Sequence, residues 1–241
     1  MGFKSWRGTV GVIKPTHRPG TLEEFIRLLP EGIGVIPMYV GIKTGKKEEF
    51  LEAMETMQAR IAELASLKVD LIHPEGAALF VLRGYQGEAE IVRGLEEKYG
   101  IPIFTSAMTL VEASQALGIR KIVGITYNKG AVTETKIPYY TEAGLEVLAI
   151  EEMTVPFADA GRISSQEVYG VAKQLYLRHR DAEGILLFGS GWRILDVIEV
   201  LEQDLQIPVV HAIPARVWAV QKRLHVRQPL KGYGRLLEQM P

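Results

Sequence analysis

Cysteine occurs at none of the 241 positions. Its absence excludes disulfides, thiolate-held metals, iron–sulfur clusters and thiol nucleophiles. Long apolar runs are missing too. No stretch approaches the roughly 18–20 residues that a bilayer requires, so no membrane partner is expected. Net charge is nearly nil, with 28 Lys+Arg against 29 Asp+Glu. That balance leaves no electrostatic footprint for DNA or RNA. The first seven residues carry no signal-peptide pattern, so the cytoplasm is the expected location. The five histidines (His17, His73, His179, His211, His225) are scattered, and no spacing among them assembles metal ligands. Neither a metal nor another cofactor is expected.

What is present is an alternation of short β-branched runs and longer amphipathic stretches. Thr9–Ile13, Gly34–Tyr39, Val69–His73, Ile101–Phe104, Lys121–Thr126, Leu145–Ile150, Gly184–Phe188 and Pro208–His211 read as strands. Most have too few polar positions to alternate, as expected of parallel strands covered on both faces. Lys46–Leu67 repeats apolar groups at Phe50, Leu51, Met54, Met57, Ile61, Leu64 and Ala65, the period of a one-faced helix. Ser164–Arg180 and Ile194–Leu205 read as helices as well. Gly100, Gly118 and Gly144 mark helix ends. The pattern predicts an α/β fold with a mainly parallel sheet.

An internal echo subdivides it. The run from Val69 through Gly76 leads by way of a helix to Leu95-Glu96 and Ile101-Pro102. The run from Ala182 through Gly189 leads likewise to Leu201-Glu202 and Ile207-Pro208. Two similar halves are therefore expected, residues 1–118 plus 213–241 and residues 119–212. Ligands of open α/β sheets bind beyond the carboxyl ends of strands, and clefts between domains are favoured pockets. The loops after Ile13, His73, Thr126 and Phe188 are thus the expected site.

Each loop offers chemistry and a plainer alternative. In Lys14-Pro15-Thr16-His17-Arg18, the basic groups either receive a carboxylate or phosphate or are solvated. In His73-Pro74-Glu75-Gly76-Ala77-Ala78, Glu75 is either a general base tuned toward neutrality or the partner of a Lys or Arg. His73 fits packing or a local hydrogen bond. Tyr127 can donate to an oxyanion or protonate a carbanion-like intermediate, and a Tyr at a strand end can equally be packing. Gly189-Ser190-Gly191 reads as the opening of a helix whose N–H groups hold an anion. It matches neither a dinucleotide fingerprint, a P-loop nor a nucleophile elbow around Ser190.

The segments Gly11-Val12-Ile13-Lys14-Pro15, Gly76 to Gly84, Ala116 to Ile122, Tyr127, Glu183 to Leu187, Ile207 to Val210 and Gly232-Tyr233-Gly234-Arg235-Leu236 occur in an order that carries a resemblance. Along nearly its whole length the chain resembles the arylmalonate decarboxylase and maleate cis-trans isomerase branch of the aspartate/glutamate racemase superfamily. The resemblance implies two Rossmann-like (flavodoxin-like) halves with the active site between them. It also implies a carboxylate held by backbone N–H groups and hydroxyls, and chemistry by cysteine thiols without cofactor or metal. Here the second-half cysteine position falls on Gly189, with Ser190 beside it. The first-half position falls on Gly76, as in the decarboxylase, which has glycine there. Two cradle hydroxyls are replaced by Ala77 and Ala78, and Lys14-Pro15 stands for Pro-Pro. Tyr127 alone among the polar groups keeps its identity.

Two readings follow. In the first, the protein is a lyase or isomerase of a small carboxylate or dicarboxylate. Lys14, Pro15, Gly76, Ala77, Ala78, Gly189, Ser190 and Gly191 would hold the substrate, and Glu75, Tyr127 or His17 would move the proton to an enediolate-type intermediate. In the second, it binds or senses a small carboxylate without turning it over. The residues do not distinguish a monomer from a homo-oligomer.

Overall fold

The β-branched runs assemble as two separate parallel sheets in the computed structural model, which describes residues 4–241. β1 (Gly8–Lys14), β2 (Ile33–Tyr39) and β3 (Leu71–Pro74) form the first, in the order β2-β1-β3. β4 (Lys121–Thr126), β5 (Glu146–Glu152), β6 (Gly184–Phe188) and β7 (Val209–His211) form the second, in the order β5-β4-β6-β7. The central strands are the most apolar. All five residues of β6 are buried, as parallel strands covered by helices on both faces require.

The helices are α1 (Thr21–Leu28), α2 (Lys47–Ser66), α3 (Ala77–Val81), α4 (Tyr85–Tyr99), α5 (Ser106–Ala116) and α6 (Ala131–Glu134). They continue as α7 (Lys136–Glu142), α8 (Ser165–Arg178), α9 (Ile198–Leu205), α10 (Ala212–Arg223) and α11 (Arg235–Gln239). α2 buries Phe50, Met54, Met57, Ile61 and Leu64, while Leu51 at the edge of the same stripe is exposed. Gly100 caps α4 in the left-handed region, and Gly118 and Gly144 follow the ends of α5 and α7 with positive φ. A capping box between Ser164 and Glu167 starts α8. The apolar helix α10 packs against α1 and α5. No helix of the described residues is long and apolar enough to cross a membrane.

Three local expectations are corrected. Ile101–Phe104 is not a strand; it contributes one parallel bridge, Ile103 to Ile72. The next helix begins at Ser106, with the Thr105 side chain accepting the Met108 N–H, and leaves no room to extend the pairing. The helix expected over Ile194–Leu205 starts four residues later, at Ile198. As a result, Gly189-Ser190-Gly191 does not open a helix. Trp192, Ile194 and Leu195 are buried instead as anchors of an irregular loop, and the Trp192 indole N–H donates to the Gly189 carbonyl at 2.9 Å.

Candidate functional site

Both sheets direct the carboxyl ends of their central strands into one cleft. β1 supplies Pro15, Thr16 and Arg18, and β3 supplies Glu75, Gly76, Ala77 and Ala78. β4 supplies Tyr127 and Asn128, and β6 supplies Gly189, Ser190 and Gly191. The space, including its open mouth, is about 670 Å³, within the range of small-molecule sites.

Glu75 is at the centre and is 4% exposed. Its Oε2 lies 2.8 Å from Arg216 Nη1 and 3.8 Å from Lys14 Nζ. Its Oε1 accepts the Ser190 hydroxyl at 2.6 Å. The carboxylate therefore joins β1, the β3 loop, the β6 loop and α10. Burial by itself raises its pKa, but Arg216, Lys14 and the Ser190 hydroxyl outweigh burial and hold it at about 2. The expected tuning toward neutrality is reversed, because two cations converge on one acid.

Lys14 lies beneath the cleft. It donates to the Thr21 hydroxyl, and the carboxylate it meets is the protein's own Glu75. Burial lowers its pKa, opposed by Glu75. Arg216 Nε donates to Ala212 O at 3.1 Å, its guanidinium faces the Phe25 ring, and among the described residues its Nη2 is buried without an acceptor.

The Tyr127 phenol accepts the Gly191 N–H at 3.0 Å, so that N–H already has a partner. Burial raises the phenol's pKa, and Arg18 pulls it back. Tyr127 therefore stays protonated at neutral pH and has a proton to donate. Arg18 Nη2 donates to Phe157 O at 2.5 Å, and the guanidinium lies over the Phe157 ring. His73 is fully buried. Its Nδ1 donates to Phe104 O at 2.7 Å, leaving Nε2 to face the Ser106 hydroxyl. Burial, helped by Arg216, lowers its pKa to about 3, so the ring is neutral and serves packing.

His17 is the expected site residue that the structure places elsewhere. It is exposed and stacked on Tyr39 at 5.0 Å, outside the lining of the cleft, because the loop turns at Pro15 and Thr16 and sends Arg18 inward instead. Two residues that the sequence reading did not select belong to the site. Arg216 had a legible signal, being the lone charge in the apolar run Val209–Val220. Lys136, 4% exposed and lining the cleft, had none. Among the described residues, no three of His, Asp and Glu are grouped to hold a metal ion.

Two parallel α/β halves meeting at a cation-rich cleft are the class of protein this geometry defines. The family model described as arylmalonate decarboxylase matches residues 10–237, and the chain belongs to that family. It is 24% identical over 233 residues to the arylmalonate decarboxylase of Bordetella bronchiseptica, covering 96% of this chain and 97% of that one. It is 28% identical over 232 residues to a maleate isomerase of Pseudomonas putida, covering 92% of this chain and 91% of that one. The crystal structure of a maleate isomerase from Pseudomonas putida superposes with a TM-score of 0.88 at 22% identity, covering 97% of this chain and 99% of that chain. A crystal structure of arylmalonate decarboxylase gives 0.82 at 22% identity, covering 96% and 99%. The expected two-half α/β architecture and the resemblance agree with these matches.

Proposed function

We propose that the protein is a cofactor-independent lyase or isomerase that acts on a small carboxylate in this cleft. The observation that carries the reading is the charge balance. Lys14, Arg216, Arg18 and Lys136 surround or line the cleft, and Glu75 is the only carboxylate among its lining residues. An anionic substrate completes that balance. The names of the relatives, arylmalonate decarboxylase and maleate isomerase, point to the same ligand class. Arg18 at the mouth receives a carboxylate, and the Tyr127 hydroxyl donates to the oxyanion that develops on it. The loops carrying Pro15, Gly76, Ala77, Ala78 and Gly189 wall the substrate. Glu75 positions the Ser190 hydroxyl and neutralises the cations beneath.

The test is incubation with phenylmalonate and with maleate, followed by proton NMR over hours. Loss of phenylmalonate with a solvent-derived hydrogen on the product carbon, or conversion of maleate to fumarate, supports the reading. Tyr127→Phe keeps the ring and is expected to lower kcat about 100-fold; an unchanged kcat removes Tyr127 from the chemistry. The second reading, a carboxylate-binding protein without turnover, is favoured by the complete pairing of the Glu75 oxygens. It predicts a saturable thermal shift with both compounds intact.

A further inference from the structure

Lys136 is a buried amine in the cleft whose charge no carboxylate balances at close range. It opens α7, and its Nζ donates to Asn128 Oδ1 at 3.3 Å and to Val132 O at 3.1 Å. Both acceptors are neutral. Nζ also lies 6.0 Å from the centroid of the Phe188 ring. Among the described residues no carboxylate lies within 4.0 Å of it, in contrast to Lys14, which is equally buried but paired with Glu75. Buried lysines are costly unless paired, so a lysine serving only the fold would sit poorly here. An ammonium has three hydrogens, and two are committed to these neutral oxygens.

We propose that Lys136 is the proton-donating residue of the cleft: its ammonium meets a substrate carboxylate and then protonates the carbon from which CO₂ has departed. This rests on the lyase reading above and adds the group that takes the place of the thiol. The other candidates are committed elsewhere: the Tyr127 phenol, whose pKa burial raises, is a weak acid that donates its hydrogen bond to the oxyanion. Glu75 is ionised, the Ser190 hydroxyl donates to it, and His73 is neutral with its Nδ1 proton held by Phe104 O. Burial lowers the Lys136 pKa to about 7, so the amine exchanges protons at neutral pH, where general acids work best.

The charged groups around Lys136 are otherwise engaged or shared with the cleft. Glu152 on β5 raises the pKa but less than burial lowers it, and its Oε1 is engaged by the Gly130 N–H. On α4, Glu88 accepts the Tyr139 hydroxyl. Arg18 and Glu75 line the same cleft.

The step balances. The C–CO₂ bond breaks and leaves its electron pair on the α-carbon as an enediolate. The Nζ–H bond breaks, the proton forms the new C–H bond, and the neutral amine takes a proton from solvent. Binding of an anion beside Nζ favours the ammonium, so substrate binding above neutral pH draws in the proton that the reaction uses.

The experiment compares wild type with Lys136→Met and Lys136→Arg. In protein carrying carbon-13 at lysine Cε, one signal is expected to titrate near pH 7 and to vanish in Lys136→Met. Calorimetry with maleate at pH 8, in buffers of different ionisation enthalpy, is expected to show uptake of close to one proton in wild type and none in Lys136→Met. Decarboxylation of phenylmalonate is expected to fall at least 100-fold in Lys136→Met. Lys136→Arg keeps the charge and the binding but not the turnover, because guanidinium does not release its proton. Lys136→Met should melt no lower than wild type, since it removes a buried charge, and this separates loss of chemistry from loss of fold. A lysine titration above pH 9 overturns the proposal, as does turnover in Lys136→Met equal to wild type. Wild type that neither binds nor transforms either compound overturns the functional reading, and the proposal with it.

Discussion

Glu75→Ala is expected to destabilise the protein by roughly 3–5 kcal/mol, the cost of removing one partner from a buried charge cluster. The substitution leaves Arg216, 1% exposed, and Lys14, 2% exposed, facing each other without an anion. It also strips the Ser190 hydroxyl of its acceptor across the two halves. Glu75→Gln, which keeps the acceptor but not the charge, should fall between. In the double variant Glu75→Gln, Arg216→Met the losses should sum to less than the two single losses, because the second change removes the charge that the first leaves unpaired.

The pH dependence has a definite sign. The Glu75 carboxyl titrates at about 2 in the folded protein against an ordinary 4.5, so the folded state binds this proton less readily. The stability it contributes is complete above about pH 4.5 and is lost as pH falls toward 2. Urea unfolding of wild type and Glu75→Ala from pH 7 to pH 3 measures both effects, and the two curves should converge as pH falls. A difference below 1 kcal/mol at pH 7 would refute the stabilising role of the Glu75 charge cluster. The same effect means that a lost activity in Glu75 variants must be compared with Glu75→Gln at a temperature where both are folded.

Much of this architecture was legible because parallel strands buried on both faces leave a simple record. Ile122–Ile125 and Ile185–Phe188 are apolar without alternation and are the centre of the second sheet. The echo between the Gly76 and Gly189 regions marked β3 and β6, which occupy like places beside β1 and β4. The four loops of the cleft followed from strand ends alone. What failed is local competition. Ile101–Phe104 has strand composition, yet the helix start at Thr105 limits it to one bridge. Ile194 and Leu195 have helical spacing, yet burial of Trp192 and its bond to Gly189 O hold the loop open until Ile198.

Side-chain partnerships were the least legible. Glu75 and Ser190 are 115 residues apart and bond directly, and no spacing rule encodes that. The same holds for Lys136, whose isolation from carboxylates is a property of the fold. Arg216 is different, because a single charge inside an apolar helix demands a buried partner. Glu75 was already the acid at the end of a strand.

Gly189→Cys, which would place a thiol where the sequence resemblance aligns the second-half cysteine, is expected to destabilise the protein by about 2–4 kcal/mol without creating a proton donor. Gly189 adopts φ +92°, a conformation that costs a side-chain-bearing residue roughly 1–3 kcal/mol. A Cβ there would sit 2.6 Å from the Tyr127 hydroxyl oxygen, so the phenol would have to move. Its displacement breaks the Gly191 N–H bond, worth about 1 kcal/mol. Gly189→Ala should show most of the same loss, because the backbone and the Cβ rather than the sulfur cause it. Adding Tyr127→Ala should relieve the steric part but not the backbone part. Thermal unfolding should register each kcal/mol as a drop of roughly 2–4 °C for a chain of this size. If Gly189→Ala melts within 1 °C of wild type, the loop is adaptable and the site has not closed around glycine. If it melts as expected, the missing cysteine is built into the packing: the Tyr127 ring occupies the approach that a thiol would need, and the proton must come from a residue outside the Gly189 loop.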